Sequence, residues 1–391
     1  MHMLRRLALL PLVALAISSC SSSEDDKVKV DTKVGDIRTN EVWKDGLKLT
    51  GVIRIFEGAT VEIEPGAKIT CSESVLIQVG GAIRVESSNE HASIACPRWR
   101  GIQVAQNGRL DIDGLDIENA EVGYETTKGA GTVNITNASI LATVRPFLVG
   151  AGSTMNLTRV KATTPTQLGE FEVSVSEVFG KLIAKFLDYE ANTNEGIMVQ
   201  KGGEAEIEDS VLKAKNGLDL VSMYGGTSLK LSYSTLRGAH CGPHLGVSKD
   251  EEKRPPGRLE IDHVTSEDNI YGITIYAASV EGPHIIKDSN FAGTAAWLDL
   301  QGDHGPITFE NVFTTGEETI LRTDPPTITR APARIEGAGL ADIAEETDRR
   351  HRDAFGDSPV LRTSLEVGGE YAYRVRGEAH SWTPQTVSLL Q

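Results

Sequence analysis

The chain has 391 residues, 39 of them Gly, with few aromatics and a formal net charge of −16, which is enough length for two ordinary domains or one long solenoid. So acidic a surface opposes nucleic acid and anionic lipid headgroups, whose binding needs clustered Lys and Arg. It argues mildly against acidic polyuronate substrates too, while the abundant Gly suits many tight turns between short strands.

Residues 1–19 have the make-up of an export signal: Arg5 and Arg6 precede an apolar core from Leu7 to Ile17, too short to span a bilayer comfortably as a helix. The core ends in Ile17-Ser18-Ser19-Cys20, which resembles the bacterial lipobox. The resemblance implies cleavage before Cys20, lipidation of its thiol and of the new amino group, and attachment of the protein to a membrane through that lipid. An ordinary signal peptide with an incidental Cys is the alternative. Residues 20–41, with the polar run SSSEDDKVKVDTK, then read as a flexible tether. Ser21 rather than Asp after the Cys resembles the signal for outer-membrane sorting, on either the periplasmic or the surface face.

From about Val42 to Pro326 a unit of roughly two dozen residues recurs, the mark of a solenoid. Each unit opens on alternating apolar residues: Leu110/Ile112, Val133/Ile135, Met155/Leu157, Ala205/Ile207, Leu229/Leu231, Leu259/Ile261 and Ile307/Phe309. Side chains at i and i+2 of a strand share a face. Soon after comes a column of Leu115, Ala138, Val160, Leu187, Ser210, Ser234, Val264, Ser289 and Val312, expected to stack inside. VFGKLIAKFL, Val178 to Leu187, could be mistaken for a helix, but Leu182/Ala184 and Leu187/Tyr189 match Leu110/Ile112 and Leu115/Ile117, so it is expected to be another coil. Strands repeating in one direction with no room for a crossover helix predict an all-β chain, a single parallel β-helix in which each strand pairs with its counterpart one coil away at about 4.8 Å.

The run GATVEIEPGAKI (Gly58–Ile69), the Gly80-Gly81-Ala82-Ile83 turn and Trp99-Arg100-Gly101-Ile102 resemble the opening of secreted proteins of the pectin-lyase-like superfamily. The resemblance covers most of residues 45–325. It implies a right-handed β-helix, the hand that parallel crossovers prefer, and is unspecific for activity. The largest insertion is expected at Cys241–Pro256, CGPHLGVSKDEEKRPP. After Pro326 the repeat fades. A helix over Leu340–Ala354 and a hairpin around Gly368-Gly369 predict that residues 327–391 form a small α+β C-terminal cap or packing module.

Cys71 and Cys96 end the matching triplets Ile69-Thr70-Cys71 and Ile94-Ala95-Cys96. Adjacent coils would put them within disulfide reach, or leave two stacked buried thiols. His240, Cys241 and His244 are three metal-ligand types at close spacing, without an evident fourth and in a pattern common by chance. No cofactor is called for. Asp209, His263, Asp288 and Asn311 fall in one column, readable as a polar ladder or as turn residues that bond their own backbone; with Tyr233 they form a candidate ligand surface. Trp99, Tyr124, Tyr224, Tyr271, Tyr276 and Trp297 are candidate sugar-stacking platforms.

No Ser-His-Asp elbow, phosphate-binding loop or zinc-protease helix is present. Pectate lyases of the resembled fold hold Ca²⁺ with acidic residues, and polygalacturonases use three Asp with further His and Arg signatures. Gly302-Asp303-His304-Gly305 resembles only a fragment of the latter. The expectation is a noncatalytic envelope protein that presents a long wall to polysaccharide or to another envelope protein. A lyase or glycoside hydrolase with unfamiliar site residues is the alternative.

Overall fold

The computed structural model describes residues 31–86, 90–164, 175–192, 195–214, 219–223, 226–246, 257–276, 283–301, 307–315, 318–321 and 328–330, and the strand residues 366–367, 371–375 and 378–381. Residues 31–330 form a parallel β-solenoid of about ten turns with no helix among the described residues. Among these residues, twenty-seven strands belong to one parallel hydrogen-bonded network. Its pairings sort into three ladders, each strand bonded to its counterpart in the coil before and the coil after.

The first ladder carries the alternating units. Trp43 pairs with Ile63, and Val85 with Ile112, which pairs with Ile135; the column continues through Leu157, Ala184, Ile207, Leu231, Ile261, Ile286 and Phe309. All of these side chains are buried. Lys181–Ala191 is a strand in this stack, with Leu182 between Met155 and Ala205, so its Lys-rich apolar run is strand as the alternation predicts.

A corner follows. Gly114, Asn137, Arg159, Phe186, Asp209, Tyr233, His263 and Asp288 stand in register from coil to coil, and every one has φ between 47° and 85°. A left-handed residue interrupts the backbone ladder, and Ser side chains repair it from within. Ser210 Oγ accepts from Leu187 N at 3.0 Å, Ser234 Oγ from Ser210 N at 3.1 Å, and Ser289 Oγ from Val264 N at 3.0 Å. Each hydroxyl also donates to the carbonyl two residues earlier. The predicted inner column from Leu115 to Ser289 is thus buried, and its Ser members are there because a corner amide needs an acceptor in a dry interior.

The second ladder continues inside as Ile69, Ile94, Ile117, Ile140, Ala162, Tyr189, Leu212 and Leu236. At its start Cys71 and Cys96 lie in adjacent coils, Cα atoms 5.0 Å apart, and form a disulfide between residues 25 apart in sequence. Chain entropy assigns such a link about 3.5 kcal/mol. Cys96→Ser is therefore expected to lower unfolding stability by about that amount. Chemical denaturation of the two proteins, with thiol titration of each, checks it; equal midpoints would refute the cross-link's role.

The solenoid starts before Val42. Thr32–Ile37 pairs with Lys48–Ile55, and its last residue, Ile37, is fully buried over the first coil. Thr32–Ile37 and Glu41, all within residues 20–41 that read as tether, therefore belong to strands; one buried side chain in six is too weak a periodicity to see. At the other end Ile328–Arg330 still pairs with Ile307–Phe309. Glu366–Val367, Tyr371–Val375 and Glu378–Ser381 form an antiparallel sheet, with Gly368-Gly369 between the first two. The predicted helix over Leu340–Ala354 lies outside the described residues.

Candidate functional site

The third ladder builds the site. Its inner positions are apolar but for one: Ile37, Ile55, Val79, Val104, then Thr126, whose Oγ1 accepts from Gly150 N at 2.8 Å, and Val149, Val178, Val199, Met223, Leu245 and Ile275. The residue before each inner position points away from that interior, exposed or half-buried in the early coils and buried at Met198, Ser222, Thr274 and Asp299. That outward row reads Asp36, Arg54, Gln78, Gln103, Glu125, Leu148, Glu177, Met198, Ser222, His244, Thr274 and Asp299. Its early members bond one another along the axis. Gln78 Nε2 donates to Gln103 Oε1 at 3.0 Å, and Gln103 Nε2 donates to Glu125 Oε2 at 3.0 Å.

The later members gather titratable groups from five coils. Arg145 is ion-paired to Glu177, whose other oxygen accepts from Gln200 Nε2 at 3.0 Å. His244 Nδ1 lies 2.7 Å from Asp219 Oδ2. Thr274 Oγ1 donates to Cys241 Sγ at 3.2 Å. Ligand atoms of Asp219, Cys241 and His244 all lie within 4.8 Å of one another. Beside them, burial and the charge of Asp219 push the Glu195 carboxyl up to about 7, against a smaller opposing pull from His244. Burial likewise pushes the Cys241 thiol up, with Asp219 adding to it. Cys241 therefore keeps its proton, and the Glu195 carboxyl sits near half-protonation at neutral pH.

The residues singled out from sequence fall differently from expectation. Cys241–Leu245 is a strand in the third ladder, with Cys241 over Asp219 and His244 over Ser222. It is not part of an inserted loop; the rest of that stretch, 247–256, lies outside the described residues. Alternation hid it, because Gly242 and Pro243 carry no strand signal. A Cβ on Gly242 would meet Ser266 Oγ at 2.2 Å and Gly272 O at 2.6 Å, so only Gly passes there. His244 and Cys241 converge, and the third ligand type is Asp219 from the coil before rather than His240, which rests its Nδ1 3.3 Å from Cys241 Sγ. No local signal marks Asp219, Glu195, Ser222 or Asp299. Only the register aligns them.

The Tyr233, His263, Asp209 and Asp288 column is brought together on successive turns of the left-handed corner. The Tyr233 and His263 rings stack at 4.6 Å. Asp209 is 1% exposed and 3.6 Å from Lys185 Nζ, so it faces no solvent. Asp262, His263 and Asp288 could also gather around a cation, but Lys287 Nζ already lies 3.0 Å from Asp262. The aromatic platform is not formed among the described residues. Trp99, Tyr124 and Trp297 are in the core, where Trp99 Nε1 donates to Glu118 O at 2.8 Å. Tyr271 is half-buried against His240, while Tyr224 and the Tyr276 side chain lie outside the described residues. Large planar side chains are needed to fill the interior, which single-letter spacing does not reveal. Gly302-Asp303-His304-Gly305, Asn311's side chain and Cys20 also lie outside the described residues.

Comparison with known proteins adds little to the geometry. A stretch of 220 residues, 56% of this chain, is 27% identical to the glutamate synthase [NADPH] large chain of Bacillus subtilis (strain 168), and spans 12% of that protein's length. No family model matches the chain, and no solved structure matches it. The parallel β-helix itself fits a carbohydrate-binding or carbohydrate-processing protein.

Proposed function

We propose that this is a lipid-anchored cell-envelope protein, of pectin-lyase-like kind, that binds carbohydrate along the outward row of its third ladder without turning it over. The observation that supports this is the row itself: amide and carboxylate groups of Gln78, Gln103, Glu125 and Glu177 in successive coils, interrupted by the half-buried Leu148. Sugars present both hydroxyls and C–H faces, and a rigid row of hydrogen-bonding groups with an apolar side chain between them serves both. The row is pre-organised by the backbone ladder, so little ordering cost attends binding. Envelope placement rests on the lipobox-like Ile17-Ser18-Ser19-Cys20.

A second reading, carbohydrate cleavage, is favoured by one specific observation. Glu195, its carboxyl pushed up to about 7 by burial, stands beside the Asp219–His244 pair, and two neighbouring carboxyl groups in unlike surroundings are the equipment of glycosyl transfer.

The test is a glycan array probed with the wild type and with Gln103→Ala/Glu125→Ala, followed by a turnover assay on the polysaccharides bound. Carbohydrate binding lost by at least about tenfold in the double variant, a change of about 1.4 kcal/mol, is the expected result. No binding by the wild type overturns the proposal. Turnover abolished by Glu195→Gln selects cleavage instead.

A further inference from the structure

We infer that Asp219, Cys241 and His244 form a binding site for a thiophilic divalent transition metal of the Zn²⁺ class. The three side chains come from two adjacent coils, and their donor atoms all lie within 4.8 Å of one another, so small side-chain shifts bring them to the roughly 3.4–3.6 Å edges of a tetrahedral site. A sulfur, an imidazole nitrogen and a carboxylate oxygen together select Zn²⁺ over Ca²⁺ or Mg²⁺, which want oxygen alone. Three protein ligands leave one position for water or another ligand. Cys241 is 2% exposed and Asp219 is 9% exposed, so the donors are held by packing rather than by loop chance. On binding, the Cys241 thiol proton passes to solvent and the sulfur takes the ion.

A second observation points to the same ligand. Ser222 is 7% exposed, sits in the outward row directly under His244, and its hydroxyl is buried without a hydrogen-bond partner of good geometry. Glu195 Oε2, on the same side, is likewise buried without one. Buried polar atoms are almost always satisfied. Two buried oxygens whose nearest polar partner is each other, flanking a three-ligand cluster, are what a bound cation and its water would satisfy. Thr274 and His240, both against the Cys241 sulfur, are the groups that would orient it.

The contrast with Asp262, His263 and Asp288 sharpens the assignment. That trio has no sulfur, and Lys287 already supplies its positive charge. The inference stands apart from the carbohydrate reading, since its measurement contains no sugar.

The experiment uses the full chain carrying Cys20→Ala throughout, so that Cys241 is the only thiol outside the Cys71–Cys96 disulfide. Titration with Co²⁺ is expected to give a thiolate-to-cobalt charge-transfer band at one equivalent, displaced by Zn²⁺. Cys241→Ser is expected to lose the band, and His244→Ala and Asp219→Asn to weaken it. Thr274→Ala is expected to lower Zn²⁺ affinity by about tenfold or more. Far-ultraviolet circular dichroism checks each fold, and His244→Ala, at a partly exposed position, decides should Cys241→Ser unfold. No band in the parent protein overturns the inference. So does a band of unchanged intensity and affinity in both His244→Ala and Asp219→Asn, which would mean a lone thiol meeting cobalt.

Discussion

Gly101→Val is expected to abolish the native fold around the third ladder, at a cost of at least about 4 kcal/mol. Gly101 has φ +102, outside the conformations that L side chains adopt, and a Cβ there would sit 1.7 Å from Val122 O in the next coil. The obstacle is backbone, which cannot rotate away, and it belongs to the very strand that Gly101 must pair with. Gly46 provides the internal control. Its φ is +78, and a Cβ there would meet nothing within 4 Å, so Gly46→Ala pays only for the left-handed backbone, about 1 kcal/mol. Thermal and chemical unfolding followed by circular dichroism would separate the two. Equal losses at the two positions would show that close stacking of coils is not what excludes a side chain at Gly101.

Cys20→Ala is expected to move the protein almost wholly from the membrane to the soluble fraction and to abolish incorporation of radiolabelled palmitate. The size of the effect follows from hydrocarbon transfer: each buried CH₂ contributes about 0.8 kcal/mol, so one chain holds marginally and several hold stably. Removing the thiol removes all of them at once. The solenoid's circular dichroism is expected to be unchanged. Equal labelling of wild type and variant would end the lipid-anchor proposal, and with it the envelope part of the function, while leaving carbohydrate and metal binding to stand on their own tests.

Much of the fold is legible from the letters. Ile112, Ile135, Ile207 and Ile261 do lie in one buried stack, because a period of two within a coil and a period of two dozen between coils are both written in apolar spacing. The same rule places Leu182 and Tyr189. Cys71 and Cys96 fall opposite each other because the same strand position recurs. The rule weakens where the strand signal does: at Thr32–Ile37, where one side chain of six is fully buried, and at Cys241–Leu245, where Gly and Pro occupy strand positions. It cannot separate core from surface among aromatics, so Trp99 and Tyr124 look like sugar platforms in the sequence and fill the interior in the structure.

By itself, then, the sequence determined that this chain coils, that each coil stacks on its predecessor in one direction, and which face of the first ladder is dry. Apolar periodicity is a local property, and the hydrogen-bonding demand of short strands leaves few ways to satisfy it. Only the tertiary structure decided which outward side chains meet. Asp219, Cys241 and His244 meet because strand Asp219–Met223 pairs with Cys241–Leu245; Glu195 joins them because Gly196 N donates to Asp219 O at 2.7 Å, and the burial and Asp219 charge it meets there push its carboxyl up to about 7. Register between coils sets these encounters, and register depends on corner geometry and loop length, for which no single coil carries the instruction.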